Sequence, residues 1–231
     1  MHLSSTLRMQ WFVKTYADKL DVSPLRVLDV GSYDVNGSYR SLFSNSRHEY
    51  CGLDVEPGPN VDMVLKNPYD WSEIKTESYD VVISGQAFEH VEFFWVTMSE
   101  MARVLKKDGL LCIIAPNGFC EHRYPVDCYR FFTDGMIALA RYVSLETLHA
   151  HTNSAPSLSD VDWYSAEDAD SMLVARKPYA GGVKYADLKT YKCVPVDKKD
   201  VASGLIPYEK KLAEPPSTLR RIWRKLKRFL S

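Results

Sequence analysis

Apolar residues recur along the chain in two alternating spacings. Residues 6–20 place Leu7, Trp11, Phe12, Tyr16 and Leu20 on one helical face, and Pro24 breaks that helix. Residues 27–30 form a short, continuous apolar run that ends at Gly31, which is the pattern of a buried strand opening into a loop. Residues 38–43 predict a short helix capped by Ser38, its N-terminus aimed at whatever the loop holds. Residues 48–54, 61–65 and 78–84 read as strands. Residues 93–105 have helical period and stop at Lys106-Lys107-Asp108-Gly109. A strand is predicted at 110–115, a helix at 136–141 with Thr133 as its cap, and strands at 143–149 and 171–175.

Strands alternating with helices call for a parallel sheet with right-handed crossovers. Ligands in such sheets bind beyond the carboxyl ends of the strands, here Gly31, Asp54, Gly85 and Pro116. The loop Gly31-Ser32-Tyr33-Asp34-Val35-Asn36-Gly37 has two glycines, six apart, and Asp54 follows Gly31 by 23 residues. An acid at about that distance is where dinucleotide-binding folds hold ribose hydroxyls. The sparse glycines count against a pyrophosphate, which needs backbone N–H groups crowded against it, and so against a nicotinamide enzyme.

The segment 119–135 fits neither helix nor strand and is dense in His122, Arg123, Asp127, Arg130 and aromatic residues. Such a loop is costly unless it packs over something, and a polar cluster folded over the sheet edge is the plain alternative to a binding loop. Trp11 or Tyr16 touch ligand or simply pack in the core.

Composition narrows the reading further. The chain has 231 residues, 45% of them hydrophobic, enough for one large domain with an appendage. A net charge of −1 gives no overall attraction to nucleic acid. No run of eighteen apolar residues exists, and the polar first eleven residues lack a signal-peptide core, so a cytoplasmic protein is expected. Five cysteines without paired spacing predict reduced thiols and no metal site. Residues 217–231 stand apart: Leu219, Ile222, Trp223, Leu226 and Leu230 share a helical face, and six Arg and Lys occupy the rest. That basic amphipathic helix suits an anionic membrane surface, an acidic partner or the acidic body of its own chain. The expected organisation is a domain over 1–178, a loop-rich extension over 179–216 and the helix over 217–231.

Leu28-Asp29-Val30-Gly31-Ser32, Asp54, Tyr79-Asp80-Val81-Val82-Ile83-Ser84, Glu89-His90-Val91 and Arg103-Val104-Leu105-Lys106-Lys107-Asp108-Gly109 together resemble the class I S-adenosylmethionine-dependent methyltransferases. The likeness spans residues 25–176, and Phe88-Glu89-His90-Val91 ahead of Val104–Gly109 looks like the small-molecule branch called type 11. The usual loop has two or three glycines in quick succession, and this one departs from it. The resemblance implies an α/β fold, a Rossmann-like doubly wound, mostly parallel seven-stranded sheet with flanking helices. It implies that Asp29, Gly31 and Ser32 meet the methionine end of S-adenosylmethionine. Asp54 would bind the ribose hydroxyls, Asn67, Pro68 and Tyr69 would flank the adenine, and Ser84, Gly85 and Gln86 would line the cofactor beneath the sulfonium. For Asp29 and Asp54 the plain alternative is capping of a following helix.

Methyl transfer to an alcohol needs alignment, exclusion of water and a base. His122 is the preferred base, with His90, Asp127 and Glu89 as further candidates. Arg123 and Arg130 suit an acceptor carboxylate or phosphate, Tyr124, Tyr129 and Phe131 suit a sugar ring, and Asn117 faces the same cleft. The His122–Phe131 loop resembles one in methyltransferases encoded among surface-polysaccharide genes. The expected function is therefore O-methylation of a sugar or glycan, at the cytoplasmic membrane face if the basic helix docks there. The alternatives are N- or C-methylation of another small molecule and a non-catalytic scaffold recruited through its tail.

Overall fold

The computed structural model describes residues 3–44, 47–118, 120–152 and 170–179. Seven strands form one sheet in the order β3-β2-β1-β4-β5-β7-β6. They are β1 (Leu25–Val30), β2 (His48–Asp54), β3 (Met63–Val64), β4 (Tyr79–Gly85), β5 (Leu105–Pro116), β6 (Glu146–Thr152) and β7 (Asp170–Arg176). The first five run parallel, and β7 runs antiparallel to both β5 and β6. The helices are α1 (Leu3–Thr15), α2 (Phe94–Val104) and α3 (Thr133–Tyr142).

Alternation within the central strands builds two cores. Leu28, Val82, Leu111 and Ile113 face α2 and α3, packing with Met98, Met101, Met136 and Ile137. Val27, Val81, Ile83, Cys112 and Ile114 face the other way, against Met9 and Phe12 of α1. Successive side chains of a strand point to opposite faces, so strands covered on both sides read as unbroken apolar runs. This is why the sequence located β4 to within a residue and the apolar half of β5.

Several boundaries differ from the sequence reading. Helix α1 occupies residues 3–15, and a 3-10 turn follows at Ala17–Lys19. Its buried face includes Ser4, Ser5 and Arg8, which an apolar period does not detect. The predicted helix at 38–43 is only a 3-10 turn, Arg40–Phe43; Ser38 Oγ still accepts the Arg40 N–H at 3.0 Å. Lys106-Lys107-Asp108-Gly109 does not end the helix in a loop. It is a bulge within β5, where pairing jumps from Tyr79↔Leu105 to Val81↔Leu110. Thr133 opens α3, but its hydroxyl bonds Thr152 Oγ1 at 2.9 Å and makes no cap bond. The strand expected at 143–149 begins at Glu146, because Val143 and Leu145 are buried in the turn after α3. Residues 153–169 and nearly all of the extension and basic helix lie outside the described residues.

The strand order reverses direction of growth between β1 and β4: β2 lies on one side of β1 and β4 on the other. The crossovers leaving these two strands diverge there, opening a crevice at their carboxyl ends.

Candidate active site

Gly31 closes β1 with φ +76°, and its missing side chain lets the next strand end approach: a Cβ there would lie 2.4 Å from Ala87 Cβ. Beneath it, Asp29 is buried, its Oδ1 without a hydrogen-bond partner among the described residues. Its Oδ2 accepts the Tyr50 hydroxyl of the neighbouring strand. Burial pushes the Asp29 carboxyl up to about 7, against the lowering effect of the Tyr50 bond. An orphaned carboxylate oxygen at the foot of this crevice fits a ligand ammonium group.

The loop after β1 is clamped to the β2–β3 turn. Asn60 Nδ2 donates to Ser32 O at 2.8 Å, and Asn60 Oδ1 accepts Arg40 Nε at 2.7 Å. Arg40 lies over the Tyr50 ring at 4.4 Å. The Ser32 hydroxyl itself points to Asn60 O at 3.4 Å. Sequence reading missed Tyr50, Asn60 and Arg40, because only strand register brings them under the loop.

Asp54 ends β2. Its Oδ2 accepts the Tyr33 N–H at 2.9 Å and its Oδ1 the Val55 N–H at 2.7 Å. It caps no helix. Oδ1 also accepts the Glu56 N–H at a long 3.4 Å, whereas Oδ2 has a single donor and keeps a lone pair for a ribose hydroxyl. Further along, Asn67 Oδ1 accepts the Tyr69 N–H at 2.9 Å, and the Tyr69 ring packs 5.2 Å from Phe93. Asn67, Pro68 and Tyr69 thus form a polar-aromatic corner beyond β3.

At the end of β4, Ser84 is fully buried and donates to Val30 O at 2.8 Å, so its side chain ties β4 to β1. Gly85 meets Tyr39, whose hydroxyl would lie 2.1 Å from a Cβ at that position. Tyr39 shares a 2.6 Å bond with Ser5. Gln86, at φ 58°, donates through Nε2 to Asp170 Oδ1 at 2.9 Å. Asp170 also accepts the Ser4 hydroxyl at 2.6 Å and lies 3.6 Å from Arg8. Helix α1 therefore seals the β4 end with polar groups. Trp11 packs against Tyr16 and His149, with ring centroids 5.5 and 4.8 Å away, at the edge of the core.

The third corner of the site follows β4 directly. The turn Phe88–His90 brings Glu89 and His90 against the 120–131 loop. His90 Nδ1 lies 2.6 Å from Val126 O, so it carries the proton and Nε2 is the bare nitrogen. The His90 and His122 rings meet edge to face at 5.1 Å. Asp127 Oδ2 accepts the His122 backbone N–H at 2.7 Å and lies 3.6 Å from His122 Nδ1. Arg130 grips the same carboxylate with two nitrogens, at 2.5 and 2.7 Å. That guanidinium holds the Asp127 carboxyl far below the usual range, so Asp127 is a weak base that positions His122. Burial pushes the Glu89 carboxyl up to about 8.

The other acceptor-side residues divide. Arg123 pairs with Glu121 at 2.7 Å, and Tyr124 is exposed and 6.0 Å from the His90 ring. Tyr129 donates to Glu92 O at 2.9 Å and packs edge-on against Phe94, and Phe131 is buried beside it. Asn117 lies at the turn closing β5. The structure therefore brings His90, His122 and Tyr124 together and turns Tyr129, Phe131 and Arg130 inward.

Residues 28–113 match the family model described as a methyltransferase domain. No curated protein sequence matches the chain. Among solved structures, a SAM-dependent methyltransferase from Archaeoglobus fulgidus is 15% identical with a TM-score of 0.54, over 75% of this chain and 95% of that one. The 1,6-didemethyltoxoflavin-N1-methyltransferase of Burkholderia thailandensis, solved with bound S-adenosylhomocysteine, is 18% identical with a TM-score of 0.50, over 76% and 88%. The [4+2]-cyclase SpnF is 16% identical with a TM-score of 0.54, over 73% and 80%. At these identities the structures speak for the fold, and the cyclase shows that the fold serves more than one chemistry. Residues 28–113, from β1 to β5, thus match a methyltransferase domain, and they lie within a Rossmann-like, mostly parallel seven-stranded sheet that β6 and β7 complete.

Proposed function

We propose that the protein O-methylates a sugar or glycan hydroxyl, with His122 as the base. The observation that carries this reading is the His90–His122 corner after β4, with His122 Nδ1 facing Cys120 O at 3.2 Å and Asp127 at 3.6 Å, which leaves Nε2 for a proton. S-adenosylmethionine supplies a methyl group already activated by its sulfonium. Asp29 Oδ1 would hold the ammonium group, Asp54 the ribose, and Gly31 with Gly85 the close backbone approach. Asn67, Pro68 and Tyr69 would flank the adenine, while the backbone of Ser32 and Ser84 and the Gln86 side chain hold the cleft walls. His122 would take the acceptor proton, with His90 as the alternative base. Arg123, Tyr124 and Asn117 would face the acceptor, while Arg130 and Tyr129 hold the loop that carries them.

Transfer of a radiolabelled methyl group to sugar nucleotides and lipid-linked glycans tests the acceptor class. Labelled sugar hydroxyl is the expected product; labelled amine or carbon products would replace this reading with N- or C-methylation. Calorimetry that finds binding of NAD but not of S-adenosylhomocysteine would overturn the cofactor assignment. His122→Ala is expected to lower turnover about 100-fold or more. Full activity would remove His122 as the base. The basic segment 217–231 would hold the enzyme at the cytoplasmic face of an anionic membrane or on an acidic partner. No helix among the described residues is long and apolar enough to cross a membrane.

A further inference from the structure

We propose that Glu89, His90 and His122 form a binding site for a divalent first-row transition-metal cation of the zinc or iron(II) type. One ligand atom from each residue lies within 4.8 Å of the others, so a modest contraction closes the set around an ion. Two imidazoles and one carboxylate are the donor set that such cations favour while leaving positions open.

The protein environment supports each ligand. Glu89 is 1% exposed, and neither of its carboxylate oxygens accepts a hydrogen bond among the described residues. His90 Nε2 lies 3.6 Å from its Oε1, too far for a hydrogen bond. A buried carboxyl with both oxygens unpaired is costly, and a cation removes that cost. His90 donates Nδ1–H to Val126 O at 2.6 Å, which fixes the ring and aims the Nε2 lone pair at Glu89. His122 Nδ1 faces two acceptors, Cys120 O at 3.2 Å and Asp127 Oδ2 at 3.6 Å, which leaves Nε2 as its ligand atom. Carbonyls and carboxylates behind imidazoles are the usual support of metal-bound histidine. The nearby Arg130 charge, which would repel a cation, is neutralised by Asp127. His122 is about one-third exposed at its side chain, which gives the ion a route in.

This inference goes beyond the proposed function, and the binding of metal does not rest on it. Its consequence for catalysis does: a bound cation would hold the acceptor oxygen and acidify its hydroxyl, and His122 would then be a ligand in place of a base. The sequence reading expected no metal because it looked only for cysteine spacing; these ligands are joined by tertiary contact across 33 residues.

The test is titration of the full chain, stripped with EDTA, with Co2+ and then Zn2+ alone, read by visible absorption and calorimetry. Binding of Co2+ with d–d bands, reversed by one equivalent of Zn2+, is expected. Glu89→Gln and His122→Ala should each weaken it at least tenfold, with S-adenosylhomocysteine binding and thermal unfolding in EDTA reporting that both variants fold. No uptake by the wild type, or equal uptake by both folded variants, overturns the site. Metal binding without S-adenosylhomocysteine binding would uphold the site and sink the methyltransferase reading instead.

Discussion

Gly31 and Ala87 touch across the crevice between β1 and β4: a Cβ on Gly31 would lie 2.4 Å from Ala87 Cβ. The contact couples the two strand ends that would hold the cofactor. Gly31→Ala should therefore destabilise the fold by roughly 2–4 kcal/mol, from the clash together with the φ of +76°. The double variant Gly31→Ala/Ala87→Gly should recover the part due to the clash and leave the backbone strain. Urea denaturation of the two proteins separates these contributions; equal loss in both would show that the contact is unimportant.

Asp29 makes ligand affinity and stability depend on pH. Its folded pKa, about 7, lies above the ordinary carboxyl value, so the native state binds a proton that the unfolded state releases. This contribution is fully present below about pH 4 and is lost as pH rises toward 7, by on the order of 4 kcal/mol. Asp29→Asn should flatten that slope relative to wild type between pH 4 and 7. If an ammonium group pairs with Asp29, S-adenosylhomocysteine binding at pH 6 should release a proton, seen as a buffer-dependent calorimetric enthalpy. Absence of buffer dependence would separate Asp29 from the ligand.

Asp54→Ala should weaken S-adenosylhomocysteine binding about 10–100-fold, through loss of the ribose acceptors. The same change leaves the Tyr33 and Val55 N–H groups without the carboxylate that now fixes the loop. Adenine alone should bind equally to both proteins if the effect is at the ribose. Equal weakening of adenine would point to collapse of the loop.

Lys177 caps the far side of the fold. It is 2% exposed, with Nζ donating to Ala102 O at 3.0 Å and Leu105 O at 2.7 Å at the end of α2. Lys177→Met should cost about 2 kcal/mol, because those carbonyls lose a charged donor. Thermal unfolding reads the loss, and S-adenosylhomocysteine affinity should stay unchanged.

Deletion of residues 217–231 should abolish flotation of the protein with anionic liposomes and leave methyl transfer to a soluble acceptor unchanged. Flotation that survives the deletion would refute membrane docking through this segment.

The sequence by itself determined where β1, β2, β4 and β5 end, to within about a residue. Continuous apolar runs mark strands covered on both faces, and β2 was located residue for residue. Gly31, Asp54 and Glu89-His90 were legible because each follows its strand locally. Tertiary structure alone decided what those residues do. The buried face of α1 is partly polar, since Ser4 and Arg8 meet Asp170 from the other end of the domain and Ser5 meets the Tyr39 hydroxyl. Strand register placed the Tyr50 hydroxyl on Asp29. The turn at 88–90 met the 120–131 loop, which made Arg130 a brace for Asp127 and set His122 beside His90 and Glu89. Periodicity reports how each residue meets its own element, whereas hydrogen bonds and charge pairs between distant segments depend on how the chain closes on itself.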